Sequence, residues 1–130
     1  MKNIITAIAL LFFGNFDFLE DQNTTNKRIF YFTASWCGPC KNFKDKEIPK
    51  LKSFGLSSSE ANDDTLSNIE IYDIDLHKDF YEQLKKDSRV VPLFIFLNDE
   101  GIEYARLTGY QSAENIFKLW NQKSGLDFKN

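Results

Sequence analysis

A strand-like run that leads into a pair of cysteines constrains this chain more than any other feature. Residues 29–34 are mostly apolar and aromatic, and Trp36-Cys37-Gly38-Pro39-Cys40 follows after one serine. A strand that delivers Cys-x-x-Cys to the start of a helix is the layout of a dithiol redox site. The unpaired N–H groups and the dipole of such a helix favour a thiolate at Cys37. Pro39 suits the first helical turn, where its missing N–H would have no partner.

Cys40 lies one helical turn beyond Cys37 and is therefore placed to resolve a mixed disulfide made by Cys37. Three other interpretations are open. A structural zinc site needs about four ligands, whereas the chain holds two cysteines and one histidine, His77. A purely structural disulfide would close a very small loop and stabilise little. An inert buried pair would leave Trp36 and the intervening Gly-Pro unexplained.

The composition limits the remaining possibilities. A chain of 130 residues with 42% hydrophobic residues and 13 Phe is predicted to form one globular domain with a substantial core. A net charge of -3 gives no basic surface for nucleic acid. We expect no metal and no organic cofactor, and we expect a monomer.

The first 16 residues differ from the rest. Lys2 is the only charged side chain before Asp17, and residues 4–13 are nearly all apolar. This pattern is typical of a secretory signal, and it is too short for a membrane span. Phe12 and Gly14 do not form the small-x-small pattern of a cleavage site, and the alternative is a buried first element of the domain. We therefore divide the chain into residues 1–16 and a domain of residues 17–130.

Periodicity and turn residues predict the order of elements after residue 28. The run at 29–34 is apolar on both faces and should be a central strand. Pro49 should kink or end the helix that follows Cys40. Residues 53–68 are predicted to be a surface insertion with Leu56 and Leu66 as possible anchors. The remaining predictions are strands at 69–75, 90–97 and 102–107, a helix at 79–87, a hairpin turn at 98–101, and a last helix capped by Ser112 with Ile116, Leu119 and Trp120 on its buried side.

Three segments together resemble the thioredoxin family. They are the pentapeptide at 36–40, Val91-Pro92 before a buried strand, and Thr108-Gly109-Tyr110 before the last helix. The resemblance covers about residues 28–124. It implies a thioredoxin-like three-layer α/β/α sandwich with a central mixed sheet, Cys37 as nucleophile and Cys40 as resolving thiol. It also implies a cis peptide bond between Val91 and Pro92.

The resemblance and the local chemistry together predict a substrate-binding rim. Trp36 would contact the partner's disulfide, with a core position as the alternative, and Gly38 would leave room for the partner's backbone. Pro92 would pack against the disulfide, and the backbone of Val91 would pair with an extended partner segment. Gly109 is either part of the rim or a simple strand terminator. The complete set of predicted substrate-binding residues is Trp36, Gly38, Pro39, Val91, Pro92, Gly109 and Tyr110.

Two positions depart from the family pattern. Thioredoxins have a buried aspartate six residues before the first cysteine, where this chain has Tyr31, and a nearby lysine on the next strand, where this chain has Ile71. The usual proton relay is therefore not expected here. Residues 40–47 and 106–114 look more like exported thiol:disulfide interchange proteins than cytosolic thioredoxins. They favour the periplasm or another oxidising space, with the cytoplasm as the alternative.

Two functions are consistent with these observations. The first is a thiol-disulfide oxidoreductase that reduces or exchanges disulfides of partner proteins and draws electrons from a dithiol donor. The second is a thioredoxin-fold module that binds a protein partner, with redox turnover incidental. Lys41 and Lys44 near the helix start would either stabilise a thiolate or be ordinary surface charges, and His77 is expected to be solvated.

Overall fold

Five strands form one mixed sheet in the computed structural model, which describes residues 26–63, 66–87 and 90–122. Their order across the sheet is β2-β3-β1-β4-β5. β1 and β2 both run parallel to β3, whereas β4 is antiparallel to β1 and to β5. The strands are β1 Arg28–Thr33, β2 Ser58–Glu60, β3 Ile69–Asp73, β4 Leu93–Leu97 and β5 Glu103–Thr108. The predicted signal at residues 1–16 lies outside the described residues.

The helices cover both faces of this sheet. They are α1 Gly38–Asn42, α2 Ile48–Ser53, α3 Lys78–Leu84 and α4 Ala113–Trp120, and a π-helical turn, Phe43–Glu47, joins α1 to α2. No helix in the described parts of the chain has the length and apolar character needed to cross a membrane.

β1 lies at the centre of the sheet because its side chains are buried on both faces. Ile29 and Tyr31 belong to the core shared with α2 and α4, whereas Phe30 and Phe32 belong to the core on the α3 side. This alternation of one strand between two cores is what a sheet covered on both faces requires. The predicted three-layer α/β/α sandwich is confirmed.

Pro49 does not end the helix after Cys40, which continues through α2 to Ser53. In the preceding π-helical turn the Ile48 N–H bonds to the Phe43 carbonyl, five residues earlier. In a regular α-helix the Pro49 ring would collide with the carbonyl four residues earlier, that of Asp45. The wider turn directly before the proline coincides with this point of conflict, so the chain passes it without leaving the helix.

The predicted insertion at 53–68 contains an edge strand, β2, that the sequence analysis did not predict. β2 is the polar segment Ser58–Glu60, and it pairs with β3. Leu56 is buried as expected, but Leu66 is 95% exposed, so the prediction that Leu66 anchors this segment is wrong. The strand forms through backbone pairing and not through an apolar face, which is why alternation did not reveal it.

Candidate active site

Cys37 and Cys40 form a disulfide at the start of α1. Cys37 is the N-cap, with extended backbone, and its Sγ accepts a hydrogen bond of 3.1 Å from the Cys40 N–H. Gly38 and Pro39 form the first helical positions, as the sequence predicts. Cys40 is fully buried, whereas Cys37 keeps 6% of its surface exposed. Both cysteines are therefore buried, and Cys40 is the more completely enclosed of the two.

A cis peptide bond between Val91 and Pro92 lies opposite the disulfide and confirms the expected geometry. The Val91 carbonyl oxygen is 3.6 Å from Cys37 Sγ, and the Val91 side chain packs against the cluster that contains both cysteines. The Pro92 carbonyl accepts a hydrogen bond of 2.8 Å from the Gly109 N–H. Gly109 has a φ of 82°, in the left-handed region where glycine is favoured. The loop at Gly109 therefore adjoins the backbone beside the reactive sulfur.

Trp36 lies at the surface beside the disulfide. Its side chain is 66% exposed, and its indole Nε1–H donates a hydrogen bond of 3.1 Å to Asp75 Oδ2. The alternative that Trp36 is only part of the core is therefore wrong. Gly38 has open space on its side-chain face, since an added Cβ would meet no atom within 4 Å. These positions leave a partner room to approach Cys37.

Tyr31 lies in the core on the α1 side of the sheet. It is fully buried, stacks on Phe94 at a ring separation of 5.0 Å, and donates a hydrogen bond of 3.0 Å from its hydroxyl to the Cys40 carbonyl. Burial raises the pKa of Tyr31 to about 12, with a smaller contribution from Glu60, although Thr33 opposes the shift. The phenol is therefore a permanent donor near neutral pH. Its neighbour in β3 is Ile71, which is also buried.

Glu47 is a buried carboxylate that the sequence analysis did not single out. Glu47 is the last residue of the π-helical turn, and its side chain is 7% exposed. One carboxylate oxygen accepts a hydrogen bond of 2.8 Å from the Ala113 N–H at the start of α4, and the other accepts from the Tyr110 hydroxyl. Lys50 Nζ lies 3.8 Å away. The spacing of four residues from Phe43, which is apolar, could have placed Glu47 on the buried side of the helix.

The environment of Glu47 favours the ionised form. Burial alone would raise the pKa of this carboxyl, but the hydrogen bonds from Tyr110 and Ala113 and the charges of Lys50 and Lys46 outweigh it, so the pKa lies below its usual value. The group therefore acts as a charged acceptor between the helix that carries the disulfide and the loop before α4.

The other charged candidates lie to one side of the disulfide. Lys44 Nζ is 3.5 Å from Glu60, and both line an open cleft with Lys41 and Asp73. His77 is the N-cap residue of α3, and its ring contacts the Tyr72 ring edge-on. Within the described ranges no group of three or more His, Cys, Asp or Glu side chains could hold a metal ion.

Comparison with known proteins gives consistent results. A family model described as the thioredoxin-like domain matches residues 19–124. The thiol:disulfide interchange protein DsbD of Campylobacter jejuni, strain RM1221, is 28% identical over 118 residues, which are 86% of this chain and 19% of that protein. The same values hold for DsbD of a second Campylobacter jejuni strain. The chain thus spans about a fifth of the length of these curated relatives.

Solved structures with the same fold include several thioredoxins. A thioredoxin of Halobacterium salinarum is 19% identical with a TM-score of 0.53, and the alignment covers 82% of this chain and 81% of that chain. A poplar thioredoxin h is 24% identical with a TM-score of 0.52 and coverages of 82% and 87%. A chloroplastic thioredoxin z is 19% identical with a TM-score of 0.56 and coverages of 84% and 89%. At these identities the likeness concerns the fold.

Proposed function

This chain belongs to the thioredoxin-like domain family, and we propose that it is a thiol-disulfide oxidoreductase that reduces or exchanges disulfides in partner proteins through its Cys37–Cys40 pair. The observation that carries this proposal is the asymmetry of the pair. Cys37 caps the helix and lies against the Val91 carbonyl, whereas Cys40 is fully enclosed. This asymmetry supports attack of Cys37 on a partner disulfide and resolution by Cys40. The alternative of a binding module with incidental redox turnover has no comparable observation in its favour.

The reaction consists of two thiol-disulfide exchanges. The Cys37 thiolate attacks one sulfur of the partner disulfide, so that a mixed disulfide forms and the other partner sulfur leaves as a thiolate. Cys40, as a thiolate, then attacks Cys37 Sγ, which restores the Cys37–Cys40 disulfide and releases the second partner thiolate. The partner gains two electrons and two protons in all. A dithiol donor of the same chemical class returns the protein to its reduced state by the reverse sequence.

Residues around Cys37 form the proposed binding rim, although the side chain of Pro92 is fully buried and this residue would contribute only its backbone. Trp36 and Tyr110 offer aromatic surface, and Gly38 leaves open space beside Pro39. Val91 and Pro92 on one side, with Gly109 hydrogen-bonded to Pro92, bound the approach to the sulfur. The Cys-Gly-Pro-Cys sequence favours the reducing end of the family, with a reduction potential of about -270 mV.

The order of attack can be tested by trapping. We expect Cys40→Ser to accumulate mixed disulfides with partner proteins on non-reducing gels, because the bond at Cys37 then has no internal thiol to resolve it. Cys37→Ser should accumulate none, and brief alkylation of the reduced protein at neutral pH should label Cys37 first. Equal trapping by both variants, or preferential labelling of Cys40, would reverse the assignment.

We also propose that the protein is exported and acts as a monomer in an oxidising compartment. Lys2 followed by the apolar residues 4–13 supports export, and so does the similarity to a thiol:disulfide interchange protein. The mass of the N-terminal peptide from the native cell provides the test. A cleaved N-terminus on the exported protein is expected, and an intact N-terminus on cytoplasmic protein would contradict the proposal.

A further inference from the structure

The buried carboxylate of Glu47 joins two segments that are distant in sequence. It ends the π-helical turn that follows the disulfide helix, and it accepts hydrogen bonds from Tyr110 and from the Ala113 N–H, 66 positions later. Ser112 already caps α4 through its hydroxyl, which accepts from the Asn115 N–H at 3.1 Å. The N-terminus of α4 therefore has one acceptor from its own N-cap residue and a second from Glu47. Because Ser112 already caps α4, the contact that remains to be explained is the one between Glu47 and Tyr110.

The loop that Glu47 holds is joined by a hydrogen bond to the Val91–Pro92 backbone, which lies beside the reactive sulfur. The Gly109 N–H bonds to the Pro92 carbonyl, and the carbonyl of the preceding residue, Val91, lies 3.6 Å from Cys37 Sγ. Tyr110 directly follows Gly109, and its ring meets Phe43 edge-on at 6.3 Å. Tyr110 is still 43% exposed, so a partner can contact one face of the ring while the hydroxyl is held by Glu47.

The π-helical turn sets the direction of this carboxylate. Glu47 is its last residue, and the Ile48 N–H that follows bonds to the Phe43 carbonyl instead of the carbonyl of Lys44. Single π-helical turns inside α-helices are rare, and they occur frequently at functional sites. Here the irregular turn belongs to the helix that begins with the disulfide, so helix, carboxylate and loop form one connected unit.

We propose that Glu47 is a positioning residue that fixes Tyr110 and the loop at 109–112 beside Cys37, so that an extended segment of a partner protein can bind across the disulfide. The inference rests on the proposed function, because it concerns how a protein disulfide is presented to Cys37. A small disulfide reaches the sulfur without needing the loop, whereas a protein substrate must contact it. Loss of the link should therefore affect the two substrates unequally.

The experiment compares two rate constants for oxidation of the pre-reduced protein, one with insulin and one with 2-hydroxyethyl disulfide. In Tyr110→Phe the ratio of the insulin rate to the small-disulfide rate should fall about tenfold, because a hydrogen bond to a charged group is lost. Glu47→Gln should lower the ratio by a similar factor, since its amide keeps an oxygen for the Ala113 N–H but removes the charge from the Tyr110 contact. The double variant should lower the ratio no further than either single variant, since both changes act on the same contact.

Tyr104→Phe is the matched control. It also removes one phenol hydroxyl, which contacts the carbonyls of Leu119 and Trp120 at the far end of α4. Its ratio should equal that of the unmodified protein.

The outcomes separate this inference from the proposed function. If the unmodified protein is oxidised by neither disulfide, the proposed function fails and the inference fails with it. If it is oxidised by both and the Tyr110→Phe and Glu47→Gln ratios stay unchanged, Glu47 is only structural and the inference alone is overturned. Equal slowing with both substrates would lead to the same conclusion. Tyr110→Phe changes one partly exposed hydroxyl, so its result does not depend on Glu47→Gln being able to fold.

Discussion

Tyr31 fills the position at which thioredoxins bury a carboxylate, and the structure shows what the phenol does there. It donates to the carbonyl of Cys40, so it helps to fix the backbone of the resolving cysteine. With a pKa raised to about 12 by burial, it stays protonated near neutral pH and cannot serve as a carboxylate-like base. Ile71, beside it in β3, offers no charge either. The residue at this position supports the structure of the site and not its acid–base chemistry.

Substitution of this tyrosine by aspartate should separate stability from rate. We expect Tyr31→Asp to lower the free energy of unfolding by about 3 kcal/mol or more, because it leaves a cavity among Phe43 and Phe94 and buries a carboxylate. Insulin reduction near neutral pH should stay equal or become faster, since a carboxylate can accept the proton of Cys40. Urea melts and reduction rates of the two proteins measure both effects. Later melting together with slower reduction would contradict the role given to Tyr31.

The C-terminal end of α3 shows how a helix end is fixed from a neighbouring strand. Arg106 in β5 donates hydrogen bonds of 3.0 Å to the Leu84 carbonyl and 3.3 Å to the Lys85 carbonyl, and its guanidinium is held by Glu103. Lys86 then takes a φ of 54°, in the left-handed region that glycine favours. The helix predicted for 79–87 therefore ends at Leu84, where Arg106 donates hydrogen bonds to the terminal carbonyls.

Glycine at position 86 should stabilise the protein. Lys86→Gly removes the strain of a left-handed residue with a Cβ, at the cost of a more flexible unfolded chain, and we expect a net gain of about 0.5 kcal/mol. The ion pair between Lys86 and Glu103 at 3.7 Å is exposed on the lysine side and adds little. Lys85→Gly is the matched control: this residue has a φ of -69°, so glycine there should destabilise. Urea melts measure both, and a loss of stability in Lys86→Gly would contradict the strain argument.

The elements that sequence reasoning located correctly are those whose signals are local. The apolar run of β1 and the Cys-x-x-Cys with proline at a first helical position identify the strand and the start of α1. Ser112 marks the start of α4, where its hydroxyl accepts from the Asn115 N–H. In each case the residues that specify the element lie within about one helical turn or one strand of each other.

The elements that were missed depend on distant partners. β2 is polar. Ser57 and Asn68 directly precede β2 and β3, and hydrogen bonds between these two residues bring the starts of the two strands together. The contacts of Glu47 depend on the Ala113 N–H, 66 positions away, and on a π-helical turn that the periodicity of the sequence does not predict. The contact of Tyr31 with Cys40 likewise requires the strand and helix to be packed already.

Four tyrosines in the described part of the chain have raised pKa values, which makes the stability of the domain depend on pH in the alkaline range. The pKa of Tyr110 is raised by its hydrogen bond to Glu47, and the pKa values of the other three shift further. Burial raises the pKa values of Tyr31, Tyr72 and Tyr104 to about 12, and Glu70 adds to the shift at Tyr72. Phenols in the unfolded chain ionise near pH 10. The folded state therefore binds more protons than the unfolded state between about pH 10 and pH 12, and stability is lost as the pH rises through that window.

Urea melts at pH 9 and pH 11 test this dependence. We expect a lower free energy of unfolding at pH 11, and a smaller decrease in Tyr104→Phe, which removes one of these phenols. An unchanged stability between the two pH values would show that these hydroxyls ionise as readily in the folded protein as in the unfolded chain.

The complete burial of Cys40 has a kinetic consequence. Under the proposed function Cys37 is the sulfur that both the electron donor and the substrate must reach, since Cys40 is fully buried, and the two partners would use the same rim in turn. The proposed function therefore predicts that no complex contains both partners and that the catalytic cycle is a ping-pong one. Double-reciprocal plots of rate against insulin concentration should be parallel at different donor concentrations, and excess donor should compete with insulin. A high concentration of the electron donor would then slow the reaction, because the donor would occupy the rim beside Cys37 and exclude the substrate.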